Sequence, residues 1–473
     1  MTKLSSTIHS SDTDRDTICA ISTPPGIGGI AVIRISGPQA ISILHSVWHG
    51  KNPAEWASHT AHLGDIVDPA DGSVLDQAVA TIYRAPHSFT TDDVIELSVH
   101  GSTYIQQQLL RILIDRGARL AEPGEFTRRA YVAGRIDLPE AEAVADLISA
   151  RSRAAHRLAV TQLKGTYSDR FNLLRDRLLE LAALLELELD FSEEDVEFAS
   201  RTRLRELALE VDTLVTRLAD SFATGQAIRD GIPVAIIGAP NAGKSTLLNL
   251  LLDDDRAIVS DVPGTTRDVI HGTTLIHGTL FRFIDTAGIH DTDDTVERIG
   301  ISRAVDNIRR ARILLWLVDP TLPLPDLNSG IARTILDNVH PETKIITVST
   351  KTDICNPQQI SDLQNHLKKF AHIHLNYSSL VPSTLEAIRT TISQSVDYNL
   401  SDDIIVTNSR HYEELSQAHA SLTLLLQGLD NQLPGDLLAQ HLRQAIHHLS
   451  SLTGPLTTPT LLQTIFSRFC IGK

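Results

Sequence analysis

The sequence has few of the features that mark a secreted or membrane protein. Its three cysteines, Cys19, Cys355 and Cys470, form no CxxC pair and no even framework. That pattern excludes a disulfide scaffold and indicates reduced thiols in a cytosolic setting. The polar residues 1–16 lack the apolar core of a secretory signal, and no run of about 18 apolar residues occurs. We therefore expect a cytoplasmic protein without a membrane span.

Aromatic residues and positive charge are also scarce. Aromatic residues make up 4% of the chain, and the formal net charge is −16. Few aromatic side chains leave little material for stacking single-stranded bases, and the acidic balance argues against a broad nucleic-acid-binding face. If RNA is a substrate, a local basic patch or a basic partner must hold most of it.

The first part of the chain has a mixed α/β texture. The length of 473 residues favours two to four domains. Within residues 17–135, apolar runs predict strands at 31–35 and 94–99, and a helical pattern follows at 105–114.

The pattern of apolar and polar residues changes twice more along the chain. From Asp137 a glycine-poor stretch rich in Ala, Leu and Glu, interrupted at Gly165, predicts long helices. Residues 231–392 alternate short apolar strands with helices, which predicts a parallel sheet. Helical texture returns after Asp397, so the simplest architecture is a helical domain with an α/β domain inserted into it.

Residues 238–245 spell G-x4-G-K-S, the pattern of a phosphate-binding loop. A short apolar strand at 234–237 precedes it and a predicted helix at 246–252 follows it, as this loop requires. Its glycines let backbone N–H groups surround phosphate oxygens. Lys244 then reaches the terminal phosphates, and Ser245 offers a hydroxyl to Mg²⁺.

Two further motifs follow in the order expected of a nucleotide hydrolase. In D-T-A-G, Asp285 has the position of a carboxylate that holds Mg²⁺ through water, and Gly288 can donate its N–H to the γ-phosphate. Between the two motifs lies G-T-T-R-D at 264–268. A threonine there can ligate Mg²⁺ only when the γ-phosphate is present, which predicts a switch segment. A plain turn with a helix cap is the alternative.

The base-reading motif predicts guanine, with two departures from the usual pattern. Residues 350–353 read T-K-x-D after an apolar strand, and Asp353 can accept both N1–H and N2–H of guanine. Thr350 replaces the more usual Asn, and Ser379-Leu380 stands where Ala-Lys is typical. We favour GTP over ATP. The predicted GTP-binding residues are Asn241, Ala242, Gly243, Lys244, Ser245, Thr246, Ser260, Asp261, Val262, Pro263, Gly264, Thr265, Thr266, Asp285, Thr286, Ala287, Gly288, Thr350, Lys351, Asp353, Ser378 and Ser379.

The order of these motifs resembles the translation-factor class of GTPases, and other motifs narrow the resemblance. These are residues 23–30 (TPPGIGGI) with 34–37 (RISG), 123–130 (PGEFTRRA), 137–143 (DLPEAEA) and the ending 469–473 (FCIGK). Over essentially its whole length the chain resembles the MnmE (TrmE) family of bacterial tRNA-modification GTPases.

The resemblance implies a multidomain α/β fold. A folate-binding-like α/β N-terminal domain carries the dimer contact, and a P-loop G domain with a parallel sheet is inserted in an α-helical bundle domain. The expected boundaries are 1–135 for the N-terminal domain, 136–228 plus 398–473 for the helical domain, and 229–397 for the G domain.

It also implies partners and a reaction. Members form homodimers and act with the flavin-dependent partner MnmG (GidA), which carries FAD, in a heterotetramer. Together they add an aminomethyl-type (carboxymethylaminomethyl) group to C5 of the wobble uridine of certain tRNAs. A 5-formyltetrahydrofolate-type folate supplies the one-carbon unit. The net charge of −16 fits this role if the partner holds most of the tRNA.

By position, the resemblance assigns folate binding to four residues: Arg34, Glu96, Arg135 and Lys473. Arg135 stands where better-known members have Lys, and a guanidinium can still bind a carboxylate. Without the family, Arg34 and Glu96 read equally well as strand residues that face solvent.

The resemblance likewise assigns metals and catalytic groups. K⁺ takes the place of an arginine finger when two G domains meet, and Mg²⁺ binds beside it. The K⁺ ligands would be Asn241, Ser260, the Val262 backbone and Thr265, and the Mg²⁺ ligands Ser245 and Thr266. The catalytic residues would be Glu297, which orients the attacking water, Lys244 and Cys470. Without the family, Glu297 is an ordinary charge in the first turn of a helix.

Other functions remain open from the sequence. The terminal Cys-Ile-Gly-Lys fits a prenylation box badly, and a lone cysteine is reactive only where its thiolate is favoured. A regulatory or ribosome-assembly GTPase that acts as a partner-binding switch would share the nucleotide motifs. A folate-binding scaffold with a degraded nucleotide site would explain the departures at Thr350 and Ser379.

Overall fold

The chain folds into two compact units. One comprises Met1–Ile148, Ala159–Thr213 and Glu414–Lys473, and the other comprises Ser149–Leu158 and Leu214–Glu413. The computed structural model describes residues 16–190, 201–252, 272–284, 305–327, 329–368, 370–371, 373–396, 404–454, 462, 465–467, 469 and 472.

The first unit contains a seven-stranded mixed sheet. Its strands are β1 (Ile18–Ile21), β2 (Gly28–Ser36), β3 (Trp48–His49), β4 (Thr60–Val67), β5 (Val74–Tyr83), β6 (Val94–Gly101) and β7 (Arg119–Leu120). Their order is β3-β4-β5-β6-β2-β1-β7, and all neighbours are antiparallel except β1 and β7. Both strands predicted in this region are confirmed, because they lie within β2 and β6.

Alternation of side chains sets the two faces of this sheet. In β2, Ile33 and Ile35 are fully buried in the core, whereas Arg34 between them points to the opposite face. Helices α1 (Ala40–Val47) and α2 (Thr103–Asp115) supply Leu44 and Leu109 to the same core. Helix α2 confirms the predicted helix at 105–114, and the face that carries Arg34 is left for polar contacts.

The helices that follow lie wholly or partly in the first unit. They are α3 (Glu125–Val132), α4 (Leu138–Ser149), α5 (Arg153–Leu163), α6 (Thr166–Asp190), α7 (Arg201–Asp220), α13 (Ser409–Asp430) and α14 (Gly435–Thr453). The predicted break at Gly165 separates α5 from α6, and its backbone is left-handed with φ +81°. Helices α6 and α14 pack along each other. Within the described residues no helix is long and apolar enough to cross a bilayer.

The second unit contains a six-stranded sheet. Its strands are β8 (Ile232–Gly238), β9 (Gly272–Ile276), β10 (Thr279–Ile284), β11 (Ile313–Val318), β12 (Lys344–Ser349) and β13 (Ile373–Asn376). Its helices are α8 (Phe222–Asp230), α9 (Lys244–Leu252), α10 (Gly330–Asn338), α11 (Pro357–Leu367) and α12 (Pro382–Gln394). The strand order is β13-β12-β11-β8-β10-β9.

The predicted parallel sheet is present in all but one strand. β8, β10, β11, β12 and β13 pair in parallel, whereas β9 pairs antiparallel with β10. The reason is the two-residue connection His277-Gly278, in which both residues have positive φ (50° and 81°). Such a turn folds the chain straight back and gives a hairpin rather than a crossover.

Because the strands are parallel, their carboxyl ends share one edge of the sheet. β8, β11, β12 and β13 all end there, and the loops that follow them begin at Ala239, Asp319, Thr350 and Tyr377. Ligands of open α/β sheets bind at this edge.

Candidate functional site

The loop between β8 and α9 has the backbone of a phosphate cradle. Asn241 and Gly243 are left-handed, with φ +58° and +88°. A Cβ added at Gly238 would lie 2.5 Å from the Leu317 carbonyl oxygen of the neighbouring strand, so the strand must end in glycine to pack this closely. The described geometry of residues 238–245 agrees with a loop that turns N–H groups toward an anion.

Lys244 is the first residue of α9, and its side chain folds back over the loop. Its Nζ donates to the carbonyl oxygens of Gly238 (3.0 Å) and Ala239 (2.9 Å). Burial lowers the pKa of Lys244 below its usual value. Ser245 lies exposed in the first helical turn, where a hydroxyl and the helix dipole suit a phosphate-bound Mg²⁺. The donor set of the loop therefore fits a magnesium nucleotide.

The T-K-x-D loop follows β12 on the same edge. The N–H of Thr350 donates to the Val318 carbonyl at the end of β11 (2.9 Å), and the Thr350 hydroxyl lies 3.4 Å from the same oxygen. Lys351 has left-handed backbone, φ +56°, and its Nζ lies 2.7 Å from Asp319 Oδ2. Asp353 is exposed. The buried Thr350 side chain thus binds the neighbouring strand.

The Ser378–Ser379 segment lies beside this loop. Tyr377 N–H donates to the Ser349 carbonyl (2.8 Å), and Thr352 N–H donates to the Tyr377 carbonyl (3.3 Å). Ser378 is buried; its N–H donates to the Thr384 hydroxyl of α12 (3.2 Å), and its hydroxyl accepts from Leu380 N–H. The structure thus places the two predicted base-reading segments side by side.

Sequence reasoning missed two residues of this site, Asp319 and Thr384. The signal for Asp319 is its place directly after the all-apolar β11, next in the sheet to the strand that carries the P-loop. The signal for Thr384 is weaker: a hydroxyl in the first turn of a helix that begins with Pro382, a common arrangement for fixing a preceding loop.

Many predicted nucleotide and metal residues lie outside the described residues, so their roles stay predictions. They are Ser260, Asp261, Val262, Pro263, Gly264, Thr265, Thr266, Asp285, Thr286, Ala287, Gly288 and Glu297.

A second polar site lies in the first unit on the outer face of its sheet. Arg34 of β2 and Glu96 of β6 are direct cross-strand neighbours. Arg34 Nη2 lies 2.6 Å and Nε 3.0 Å from Glu96 Oε1, and the side chains are 15% and 26% exposed. The guanidinium carbon lies 5.5 Å from the centroid of the buried Phe126 ring. This face of the sheet thus carries a half-buried arginine whose guanidinium lies over an aromatic ring.

The C-terminal segment reaches this site. The Gly472 carbonyl accepts from Arg34 Nη1 (3.3 Å) and from the Ser22 hydroxyl (3.2 Å). Upstream, Phe466 and Phe469 pack into a cluster with Tyr131 of α3. The structure therefore brings two predicted residues, Arg34 and Glu96, together with the Gly472 carbonyl.

Three predicted residues remain: Arg135 and Lys473 of the folate set, and the thiol of Cys470. Arg135 lies on an exposed turn after α3, where its N–H donates to the Ala130 carbonyl (3.0 Å). Within the described part of the chain, no hydrogen bond joins its guanidinium to Glu96. Cys470 and Lys473 lie outside the described residues, and their roles stay predictions.

A buried ion network supports the same unit. Glu125, fully buried in α3, accepts from Arg119 Nη2 (2.7 Å) and Arg129 Nη2 (3.0 Å), and Asp16 bridges the same two arginines. Burial alone would raise the pKa of Glu125, but hydrogen bonds from Arg119, the Glu122 N–H and Arg129 outweigh it and lower the pKa. This network fixes the start of α3, the helix that also places Phe126.

A phosphate cradle after β8 and a T-K-x-D loop after β12, on the same edge of a largely parallel sheet, define a P-loop GTPase. Two family models together match most of the chain. The model described as the MnmE helical domain matches residues 138–470, and the one described as the GTP-binding protein TrmE N-terminus matches residues 17–135. The chain belongs to the MnmE (TrmE) family of tRNA modification GTPases.

Curated relatives agree along the full length. The tRNA modification GTPase MnmE of Cytophaga hutchinsonii is 44% identical over 97% of this chain and 98% of its own, and that of Bacteroides thetaiotaomicron is 45% identical over 97% and 100%. A solved structure of Era from Aquifex aeolicus, bound to GDP and AlF4⁻, is 27% identical over 40% of this chain and 66% of its own, with a TM-score of 0.28. As a member of this family, the chain is a GTP-hydrolysing enzyme with the family's multidomain α/β fold.

Proposed function

We propose that this GTPase, as a homodimer and with the flavin-dependent partner MnmG in a heterotetramer, modifies the wobble uridine of certain tRNAs at C5. The added group is of the aminomethyl (carboxymethylaminomethyl) type. A 5-formyltetrahydrofolate-type folate supplies its one-carbon unit. The observation that carries the proposal is the meeting of Arg34, Glu96 and the Gly472 carbonyl on one face of the N-terminal sheet.

The chemistry of this meeting suits a folate. Folates carry glutamate carboxylates, which a guanidinium binds with two parallel hydrogen bonds. Arg34 is only 15% exposed, so a carboxylate bound there is partly shielded from water and the attraction is stronger than at the surface. Lys473 adds a second cation in this proposal, and Arg135 a third. Cys470 acts in the modification step next to the bound folate.

The proposed hydrolysis depends on contact between two G domains. Lys244 stabilises the charge on the terminal phosphates, and Ser245 and Thr266 hold Mg²⁺, which neutralises phosphate charge when bound. K⁺ is held by Asn241, Ser260, the Val262 backbone and Thr265 in this proposal. Glu297 orients the attacking water.

The proposal also keeps the expected organisation of the chain. The N-terminal domain at 1–135 binds folate and forms the dimer, the helical domain spans 136–228 and 398–473, and the G domain spans 229–397. The reaction takes place in the cytoplasm with FAD on the partner. Because the net charge is −16, the partner holds most of the tRNA.

The folate part is tested by titrating the purified protein with 5-formyltetrahydrofolate in a calorimeter. We expect saturable binding that Arg34→Gln weakens at least about tenfold, since a charged hydrogen-bonded contact contributes about 1.5–3 kcal/mol. Arg111→Gln is the matched control, because its side chain is 74% exposed on α2 and pairs with Asp115 at 3.9 Å. No measurable binding to the unaltered protein would contradict the proposal.

The ion-dependent part is tested by GTP hydrolysis in K⁺ and in Na⁺, with Glu297→Ala alongside. Strong stimulation by K⁺ that the variant loses supports dimer-driven hydrolysis. Equal rates in both salts would leave a GTPase but remove the proposed roles of Asn241 and Glu297. Analysis of wobble uridine in tRNA from a deletion strain, with and without this protein, then reports the modification itself.

A further inference from the structure

A buried carboxylate joins the centre of the GTPase sheet to the base-reading loop. Asp319 follows β11 directly, and its side chain is only 3% exposed. Its Oδ2 lies 2.7 Å from Lys351 Nζ, and its Oδ1 accepts from Thr321 N–H (2.9 Å) and the Thr321 hydroxyl (2.7 Å). Both oxygens of Asp319 are therefore engaged, and the side chain is fixed in one orientation.

The loop that Asp319 holds has a strained backbone. Lys351 has φ +56°. Residues other than glycine adopt this left-handed conformation only when the surrounding structure imposes it. The preceding residue, Thr350, is also anchored to β11, through its N–H and the Val318 carbonyl. Two consecutive loop residues are thus tied to two consecutive residues, Val318 and Asp319.

The first of these contacts is made by Thr350, at the position where the usual motif has an asparagine. The resemblance predicts that an asparagine at position 350 would tether the loop to the P-loop through its side chain. Here Thr350 is 1% exposed and its hydroxyl lies 3.4 Å from the Val318 carbonyl. The loop is therefore anchored to the end of β11, the strand next to its own in the sheet.

We propose that Asp319 is a positioning residue of the guanine site: by holding Lys351 it sets the place from which Asp353 reads the base. This inference rests on the assignment of residues 350–353 as the base-reading loop. An ammonium has three donors, and Asp319 takes one of them in the described structure. Lys351 is 41% exposed, so the others can contact a bound nucleotide.

The ionisation of Asp319 supports this role. Burial alone would raise the pKa of Asp319, but hydrogen bonds from Lys351 and Thr321 and the charge of Lys351 outweigh it and lower the pKa. The carboxylate is therefore charged throughout the neutral pH range. Two other charged or titratable groups flank the loop, the exposed Asp353 and the half-buried Cys355, whose thiol donates to the Lys351 carbonyl (3.0 Å).

The test compares GDP with IDP, which lacks the 2-amino group that Asp353 is expected to bind. In the Asp319→Asn variant we expect GDP affinity to fall about tenfold, the scale of one charge-assisted hydrogen bond, and IDP affinity to fall less. The ratio of the two dissociation constants therefore shrinks toward one. A loss of fold stability alone would leave that ratio unchanged. Asp337→Asn is the matched control, because Asp337 is exposed on α10 of the same unit and pairs there with Arg333 at 2.7 Å.

Lys351→Met keeps the test valid if the Asp319 variant folds poorly. Lys351 is at the surface, and its loss should shrink the GDP/IDP ratio in the same way. Where both single variants fold, the double variant should bind GDP little more weakly than Lys351→Met alone, because residues that act through one contact are not additive. Fully additive losses, or an unchanged ratio in Asp319→Asn or Lys351→Met, would overturn the inference.

The Asp353→Asn variant tests whether residues 350–353 are the base-reading loop, independently of the role of Asp319. We expect that variant to lose GDP affinity and to gain affinity for XDP, whose base presents a carbonyl in place of the 2-amino group. If it does so while Asp319→Asn binds GDP normally, only the role of Asp319 fails. If Asp353→Asn binds GDP normally, the base-reading loop itself is misassigned and the role of Asp319 fails with it.

Discussion

Arg34 and Glu96 face each other directly across β2 and β6, with Arg34 Nη2 2.6 Å from Glu96 Oε1. The pair is part of a larger contact, because Arg34 Nη1 also donates to the Gly472 carbonyl. One guanidinium therefore links two strands and the C-terminal segment.

Replacing Glu96 separates its two possible roles. Glu96→Gln keeps an acceptor for Arg34 but removes the charge, so we expect unfolding free energy to change by less than about 1 kcal/mol, as for other partly exposed pairs. Folate affinity should change by several-fold or more if Glu96 contacts the ligand or orients Arg34 for it. Calorimetric folate titration and urea unfolding measure the two effects. A change in stability with unaltered affinity would make the pair purely structural.

Glu125 is expected to be among the most sensitive carboxylates for the stability of the first unit. Glu125→Ala removes the fully buried partner of Arg119 and Arg129. Asp16 still pairs with both arginines, so the loss should be smaller than the about 3–5 kcal/mol that an unpaired buried charge costs. Hydrogen exchange of peptides from β7 and α3 should still accelerate. Asp176→Ala, which removes the exposed partner of Arg175 (3.0 Å), is the control and should change little. Equal protection in both variants would contradict the network's role.

The same network predicts a pH dependence. The pKa of Glu125 and that of Asp16 are both lowered in the folded state, with burial opposing and the arginine hydrogen bonds prevailing. A depressed carboxyl pKa contributes stability above the unfolded pKa of about 4. That contribution is lost as the pH falls through and below this value. Urea midpoints of the first unit should thus drop below about pH 4, and less so in Glu125→Gln.

Lys244→Met should nearly abolish GTP hydrolysis. Lys244 is the P-loop cation, and removing one group that stabilises transition-state charge typically costs about 10²–10³-fold in rate. The Nζ contacts to Gly238 and Ala239 show that the side chain already lies over the loop. Lys368→Met, at an exposed position after α11, should hydrolyse GTP normally. Phosphate release measures both; residual activity near that of the unaltered protein would contradict the site.

His374 makes the second unit sensitive to mild acid. Its Nδ1 lies 2.6 Å from the Thr347 hydroxyl and its Nε2 2.9 Å from that of Ser349, and burial lowers the pKa of His374. A histidine with a lowered folded pKa contributes stability above its unfolded pKa of about 6.5 and loses it as the pH falls. Exchange protection of β12 and β13 should decrease from pH 7.5 to 5.5, and His374→Gln should flatten that dependence.

The sequence predicted the elements of the nucleotide site well, because its motifs are local. The G-x4-G-K-S loop follows its strand and opens its helix as expected, and T-K-x-D follows β12. Glycine spacing and short apolar runs encode such strand–loop–helix units within a few residues. Contacts that depend on which strands become neighbours are encoded differently.

Asp319 shows what the sequence could not reveal. It lies 32 positions from Lys351, the separation that also holds for the Thr350–Val318 contact, and only the pairing of β11 with β12 brings them together. The antiparallel β9 was missed for a related reason, since its direction depends on the φ angles of His277 and Gly278. Both features arise from tertiary pairing and turn geometry.

The contact between Ser22 and Gly472 spans 450 positions of the chain. A ribosome adding 5–20 residues per second needs roughly 20 to 90 seconds to synthesise the intervening segment. During that time the sheet of β1–β7 must hold itself together with the core that residues 19–118 provide. The surface around Arg34 is therefore assembled in two stages of synthesis, and a nascent chain stalled before residue 472 would display the strand pair without the carbonyl that joins it.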